Sequence, residues 1–280
     1  MVTEFDLTLD DRTLHAYDTG DGEDRLAVFW HHGTPNIGAP PEPLFQVSDR
    51  LGIRWVSYDR PGYGGSSRIQ GRDVGSAATD VTAIADALGI QRFSVMGHSG
   101  GGPHALACGA LLPDRVLAVV SVSGLAPFDA EGLDWFAGMS DSGAASLRAA
   151  TEGRAAKERY ESEAGYDPQM FTPEDHAALE NEWSWFISVV EPAMKNGPGG
   201  LIEDDLAYIS PWGFDPLHLA APVLLLHGGQ DRIAPSPHAE WLACRCPSAE
   251  LRLYPADGHI SVMNYGAAAL EWLRRQAGRG

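Results

Sequence analysis

The chain has 280 residues, of which 44% are hydrophobic, and 20 Lys and Arg stand against 38 Asp and Glu. That hydrophobic fraction is ordinary for a globular protein and excludes a chain that is disordered throughout. The formal charge of −18 repels phosphate backbones and anionic lipid, so we expect neither nucleic acid nor a membrane surface as a partner. Three cysteines, an odd number, give no disulfide framework and favour a reducing environment. The start of the chain lacks the pattern of a secretion signal, and no apolar run approaches the roughly 18 residues that span a bilayer, so we expect a cytoplasmic protein.

Short apolar runs alternate with segments of helical periodicity along most of the chain. Eight runs are predicted to be strands, at 4–9, 13–17, 26–31, 53–58, 93–97, 116–122, 223–227 and 250–254. The first two alternate apolar and polar residues around Asp10-Asp11, which predicts an antiparallel hairpin at the edge of a sheet. Most of the other runs are apolar on both faces, as in parallel strands that helices cover on both sides. The fold class is therefore α/β.

Helical periodicity is clearest at 73–88, 101–112 and 261–276. No strand-like apolar run occurs between about residues 126 and 215, and this stretch is too long for a loop in a compact domain. We therefore expect residues 1–125 and 216–280 to form one core, with 126–215 inserted between two strands as a helical cap.

One pentapeptide lies where a predicted strand passes directly into a predicted helix. Residues 97–101 read GHSGG, a G-x-S-x-G pattern. Such a turn holds a serine in a strained backbone conformation at the carboxyl edge of a sheet, with glycines where a Cβ would collide with neighbouring chain. Ser99 is thus a candidate nucleophile.

Further segments extend the pattern over nearly the whole chain. They are HHGTP at 31–35, DRPGYGGS at 59–66, QDRIAP at 230–235 and PADGH at 255–259, each after a predicted strand. With the pentapeptide, the sequence resembles the serine hydrolases of the α/β-hydrolase fold. The resemblance implies a catalytic triad of Ser99, Asp231 and His259, and an oxyanion hole made by the backbone N–H groups of Thr34 and Gly100. It implies no metal and no cofactor.

Asp257 is the alternative acid, because it stands two residues before His259. A carboxylate after the preceding strand matches the family better, so Asp231 is the prediction. No spacing of His or Cys side chains indicates a metal site.

The inserted segment is rich in aromatic residues. Trp183, Trp185 and Phe186 are candidates for lining a hydrophobic pocket, together with His32 beside the oxyanion turn. The acidic run 203–205 (EDD) is expected to be a solvated helix turn; the alternative is a site for an amine-bearing substrate.

These features predict an enzyme that cleaves a small, largely apolar ester, lactone or thioester through an acyl-enzyme. Carbon–carbon bond hydrolysis and cofactor-free peracid formation use the same triad and remain alternatives. A ligand receptor without catalytic activity is an alternative of another class. The sequence does not determine the oligomeric state.

Overall fold

The computed structural model describes residues 1–20 and 25–278, and within them eight strands form one sheet. The strands are β1 (Thr3–Leu9), β2 (Arg12–Asp18), β3 (Leu26–His31), β4 (Ile53–Tyr58), β5 (Phe93–His98), β6 (Val116–Val122), β7 (Val223–Gly228) and β8 (Ala249–Tyr254). Their order is β1-β2-β4-β3-β5-β6-β7-β8. The pairs β1–β2 and β2–β4 are antiparallel, and all others are parallel. The predicted edge hairpin and the mostly parallel sheet are both confirmed.

The described part of the chain also holds ten α-helices. They are α1 (Phe45–Arg50), α2 (Ala77–Ala87), α3 (Gly101–Leu111), α4 (Asp141–Thr151), α5 (Arg154–Glu163), α6 (Pro173–Glu180), α7 (Trp185–Met194), α8 (Gly199–Tyr208), α9 (Pro237–Arg245) and α10 (Gly266–Ala277). None of the helices in 1–20 and 25–278 is long and apolar enough to cross a bilayer.

Two hydrophobic clusters lie on the two faces of the sheet, because alternate residues of each central strand point to opposite sides. Phe29 and Val95 belong to the first cluster, with apolar residues of α2, α3 and α9. Trp30 and Met96 belong to the second, with residues of α1 and α10. Burial on both faces explains why these strands read as continuous apolar runs.

Two predicted helices begin later than the sequence indicated. Residue Asp73 accepts a hydrogen bond from the backbone N–H of Ser76, so this stretch is a capped turn before α2. The other helix is preceded by a 3-10 turn at Ser261–Tyr265, and α10 begins at Gly266. In both places local hydrogen bonds compete with the α-helical pattern.

Helices α4 to α8 occupy the stretch between β6 and β7, which contains no strand in the described structure. We call residues 126–215 the inserted segment. Its treatment as a separate cap domain stays a prediction.

Candidate active site

Ser99 lies on the tight turn between β5 and α3. Its φ of +55° is in the left-handed region that non-glycine residues rarely adopt. A Cβ at Gly97 would lie 2.1 Å from the carbonyl oxygen of Gly101, and one at Gly101 would lie 2.0 Å from that of His31. Side chains are therefore excluded on both flanks of the serine. The Ser99 N–H donates to the Val122 carbonyl oxygen at 2.8 Å, which fixes the turn at the carboxyl edge of the sheet.

Asp231 and His259 follow β7 and β8 on the same edge. The Nδ1–H of His259 donates to Oδ2 of Asp231 at 2.8 Å. The other oxygen, Oδ1, accepts from the N–H groups of Ile233 and Ala234, each at 2.9 Å. Because a carboxylate only accepts, the proton of the neutral imidazole is on Nδ1, and Nε2 carries a lone pair. The pair therefore holds the tautomer that a general base requires.

Burial and the mutual attraction of Asp231 and His259 have opposite effects on the pKa values of these two residues. Burial by itself lowers the pKa of His259, but the charge of Asp231 and its hydrogen bond bring that pKa above 6.5. Burial by itself raises the pKa of Asp231, but His259 and the hydrogen bonds bring it below 3.8. Asp231 is consequently ionised at neutral pH, and it stabilises the imidazolium form of His259.

His98, the residue before Ser99, connects the serine turn to the histidine loop. Its Nε2–H donates to the His259 carbonyl oxygen at 2.9 Å, and the two ring centroids are 4.9 Å apart. Burial lowers the pKa of His98 to about 3, so this ring stays neutral. The alternative acid, Asp257, instead lies near Tyr265, and burial together with its charge raises the pKa of that tyrosine. The structure thus brings His259 beside the serine turn and pairs it with Asp231.

The loop after β3 packs directly against the serine turn. A Cβ at Gly33 would be 3.5 Å from the Cβ of Ser99, and one at Gly100 would be 2.5 Å from Oγ1 of Thr34. Within residues 1–20 and 25–278, the backbone N–H groups of Thr34 and Gly100 donate to no other group. Two free N–H groups next to a serine are the feature that an oxyanion hole requires.

Both ring nitrogens of His32 form hydrogen bonds with backbone groups of the protein. Its Nε2 accepts from the backbone N–H of Arg60 at 2.9 Å, and its Nδ1–H donates to the Gly33 carbonyl oxygen at 2.7 Å. Burial and the charge of Arg60 hold the pKa of His32 well below 6.5. Both nitrogens are occupied by groups of the protein, and the role of His32 in substrate binding stays a prediction.

Asp204, in the acidic run of α8, is completely buried rather than solvated. Its carboxylate is 2.6 Å from guanidinium nitrogens of both Arg60 and Arg72. It also accepts from the hydroxyls of Thr34 at 2.5 Å and Tyr63 at 2.8 Å. Burial raises the pKa of Asp204, but the two arginines bring it well below 3.8. The prediction of a solvated turn is therefore wrong.

The neighbours of Asp204 are paired as well. Glu203 accepts hydrogen bonds from Arg68 and Arg154, and Asp205 lies 2.5 Å from the ammonium of Lys157. With every carboxylate of the run neutralised by a cation of the protein, none is left for an amine-bearing substrate.

The three aromatic candidates of the inserted segment form one cluster. Phe186 lies against His98, with ring centroids 5.0 Å apart, and is therefore the member next to the serine turn. Trp183 is buried and donates to Oδ1 of Asn264 at 2.9 Å. Trp185 packs on both Phe186 and Trp30. Both tryptophans pack against Phe186.

Asp175 is a functional candidate that the sequence analysis missed. It lies on α6 of the inserted segment, is 0% exposed, and accepts hydrogen bonds from the backbone of the loop that carries His259. The only local signal was the T-x-x-D pattern of residues 172–175, which indicates a helix start and no more.

No group of three or more His, Cys, Asp or Glu side chains in the described ranges is arranged to hold a metal ion. The side chains and backbone of this site supply an imidazole base paired with a carboxylate, a hydroxyl on a strained turn, and free N–H groups.

A strained serine after a central parallel strand, with an Asp–His pair on loops after later strands, defines the enzymes of the α/β-hydrolase fold. The sequence matches the model of that family, described as alpha/beta hydrolase fold, over residues 27–264. The chain belongs to this family, and it is a hydrolase.

Its relatives include esterases and other hydrolases. A pimeloyl-[acyl-carrier protein] methyl ester esterase of Nitrosomonas europaea is 29% identical over 90% of this chain and 95% of its own length. A 2-hydroxy-6-oxononadienedioate/2-hydroxy-6-oxononatrienedioate hydrolase of Comamonas testosteroni is 25% identical over 91% of this chain and 87% of its own. The structure of a thermophilic esterase from Thermogutta terrifontis superimposes with a TM-score of 0.68 at 21% identity, covering 99% of both chains.

Proposed function

We propose that this enzyme is a serine hydrolase in which Ser99 is the nucleophile, His259 the general base and Asp231 the residue that orients it. The observation that carries the proposal is the 2.8 Å hydrogen bond from His259 Nδ1 to Asp231, which leaves Nε2 as the proton acceptor. The contact between His98 and the His259 carbonyl supports it, since His98 immediately precedes Ser99.

In the proposed reaction, Oγ of Ser99 attacks the carbonyl carbon of the substrate while its proton moves to Nε2 of His259. The carbonyl π electrons move to the oxygen, and the N–H groups of Thr34 and Gly100 stabilise the resulting oxyanion. Collapse of this intermediate expels the leaving group, which takes the proton from His259. Water then attacks the acyl-enzyme by the same steps, releasing the acid and regenerating Ser99.

The substrate class that we propose is a small, largely apolar carboxylic ester, lactone or thioester. Phe186, which packs against two tryptophans, gives the serine turn an apolar neighbour. The charged residues close to the oxyanion loop, Arg60, Arg72 and Asp204, are buried and ion-paired with one another, so none of them is exposed to an ionic substrate. The methyl ester specificity in the name of the Nitrosomonas relative favours an ester.

We place the enzyme in the cytoplasm, free of nucleic acid and membrane partners. The three cysteines are unpaired in the structure, as a reducing compartment favours, and the charge of −18 opposes polyanionic partners.

A substrate panel with a matched labelling experiment tests the function. The panel contains p-nitrophenyl acetate and butyrate, a γ-lactone, a thioester, an anilide and a vinylogous 1,5-diketone. We expect the esters to be cleaved fastest, whereas preference for the diketone would establish the carbon–carbon hydrolase alternative.

A fluorophosphonate should label wild-type enzyme at Ser99, as mapped by peptide mass spectrometry, and should not label Ser99→Ala. Labelling of another serine, or no turnover of any panel member, would overturn the proposal; the second result is what a ligand receptor would give.

A further inference from the structure

Three consecutive backbone N–H groups of the His259 loop converge on one carboxylate of the inserted segment. Oδ1 of Asp175 accepts from Ile260 at 2.7 Å and from Ser261 at 2.8 Å. Oδ2 accepts from His259 at 3.1 Å and from Thr172, on its own helix, at 3.0 Å. These N–H groups open the 3-10 turn at Ser261–Tyr265, where no preceding turn supplies carbonyl partners. Asp175 therefore supplies the acceptors that this loop needs to hold its shape.

The space between α6 and the His259 loop fits a carboxylate but not an amide. A Cβ at Gly258 would lie 2.1 Å from Oδ2 of Asp175, so glycine is required for the carboxylate to approach the loop. An amide in the same place would turn an NH2 group toward N–H donors, because it has only one acceptor oxygen. Four N–H donors and full burial make a carboxylate the group that fits at position 175.

The geometry points to Asp175 as a positioning residue that sets the direction of the His259 imidazole toward Ser99, an inference that rests on the proposed function. Asp231 fixes the ring only at Nδ1, and the ring can still swing about that hydrogen bond if its backbone moves. Asp175 fixes the backbone N–H of His259 itself. With both anchors, the position of Nε2 is determined, and one anchor belongs to the inserted segment.

The charge of Asp175 gives this role a signature that ordinary support of the fold lacks. The groups that face His259 are Asp231 from the loop after β7, Asp175 from α6, His98 from β5 and His227 from β7. The two carboxylates raise the pKa of His259 against the effect of burial. Burial and the charge of His259 in turn lower the pKa values of His98 and His227. Removing the Asp175 charge should therefore lower the pKa of the catalytic base.

The test is Asp175→Asn, assayed with a p-nitrophenyl ester across pH. We expect kcat to fall at least about tenfold with KM within about threefold, because the residue is buried away from substrate and misplacement of the base affects the chemical step. The acidic limb of kcat/KM should move to lower pH. An unchanged kcat overturns the inference, and so does a lower kcat with an unmoved limb, which would indicate structural support alone.

Thr172→Ala is the matched control. It removes the Oγ1 acceptor of the Asp175 N–H at the same helix start but leaves the carboxylate on the histidine loop. We expect a lower Tm with wild-type kcat and acidic limb. A loss of activity as large as that of Asp175→Asn would overturn the inference by attributing the effect to the helix start.

Two further measurements apply if Asp175→Asn does not fold. Asp175→Glu keeps the charge but adds a methylene where Gly258 leaves no room, so kcat should fall with the acidic limb near that of wild type; full activity contradicts the inference. In the wild-type enzyme, the amide hydrogens of residues 259–261 should exchange slowly with solvent. Rapid exchange of all three would contradict the hydrogen bonds themselves.

The rate of fluorophosphonate labelling separates this inference from the proposed function. If Ser99 is labelled and Asp175→Asn labels it as fast as wild type does, the positioning role alone fails. If Ser99 is not labelled in wild type, the proposed function fails whatever Asp175 does.

Discussion

The hydroxyl of Tyr208 donates a hydrogen bond of 3.1 Å to the carbonyl oxygen of Gly100, the residue that follows Ser99. The same hydroxyl lies 2.9 Å from Oγ1 of Thr34. A Cβ at Gly100 would be 2.2 Å from it, so the contact exists only because position 100 is glycine. One side chain of α8 therefore connects the two residues that we propose for the oxyanion hole.

Tyr208→Phe should lower kcat on an ester by roughly fivefold, because loss of one neutral hydrogen bond costs about 1 kcal/mol and this bond fixes a proposed oxyanion residue. Tyr160→Phe is the matched control, since its hydroxyl donates to the Ser142 carbonyl oxygen at 3.0 Å within the same inserted segment. Steady-state kinetics of both variants decide the matter. Equal losses would show that Tyr208 acts only through stability.

Thr34→Ser should be mild, because the hydroxyl that donates to Asp204 is retained. Thr34→Pro removes the proposed N–H donor and should lower kcat by about 10²-fold or more. Comparison of kcat for the two variants, with circular dichroism to establish folding, tests the assignment. An active and folded Thr34→Pro enzyme would remove Thr34 from the oxyanion hole.

Ser99→Ala and His259→Ala should each lower kcat by roughly 10⁴ to 10⁶-fold, and the double variant should be little worse because the residues act as a unit. Single-turnover assays with a p-nitrophenyl ester measure these losses. Additive losses in the double variant, or wild-type turnover of His259→Ala, would contradict the proposed roles.

Activity should be lost on acidification as His259 becomes protonated, because only the neutral imidazole accepts the proton of Ser99. Although burial opposes it, Asp231 raises the pKa of His259 above 6.5, so the midpoint of the acidic limb of kcat/KM should lie above pH 6.5. Asp231→Asn removes the charge and should move the limb to lower pH while reducing the rate. A limb that stays in place in this variant would mean that another group titrates.

Asp204→Asn should reduce the free energy of unfolding by about 3–5 kcal/mol, because it leaves Arg60 and Arg72 buried without a counter-charge. Urea unfolding measures the loss. Asp86→Asn breaks an exposed pair with Arg115 and should cost no more than about 1 kcal/mol. Similar values for the two variants would show that the buried pair contributes little.

The sequence by itself determined the sheet and the order of the candidate residues along it. A strand buried on both faces must be apolar throughout. A strained turn between strand and helix must carry glycine on both sides of Ser99. Both features are therefore visible in the local sequence. All eight predicted strands are present, and the edge hairpin pairs as predicted.

Contacts between residues far apart in the chain were decided by the tertiary structure alone. Asp175 accepts a hydrogen bond from the backbone N–H of His259, 84 positions later in the chain. Asp204 accepts one from the side chain of Arg60, which is 144 positions away. Nothing in the local pattern of 203–205 distinguishes a solvated acidic turn from a buried one, because the neutralising cations come from elsewhere. The hydrogen bond from the backbone N–H of Arg60 to His32, 28 positions earlier, is likewise absent from the local pattern. Periodicity and turn chemistry are local properties, whereas the pairing of buried charges depends on which elements the completed fold places together.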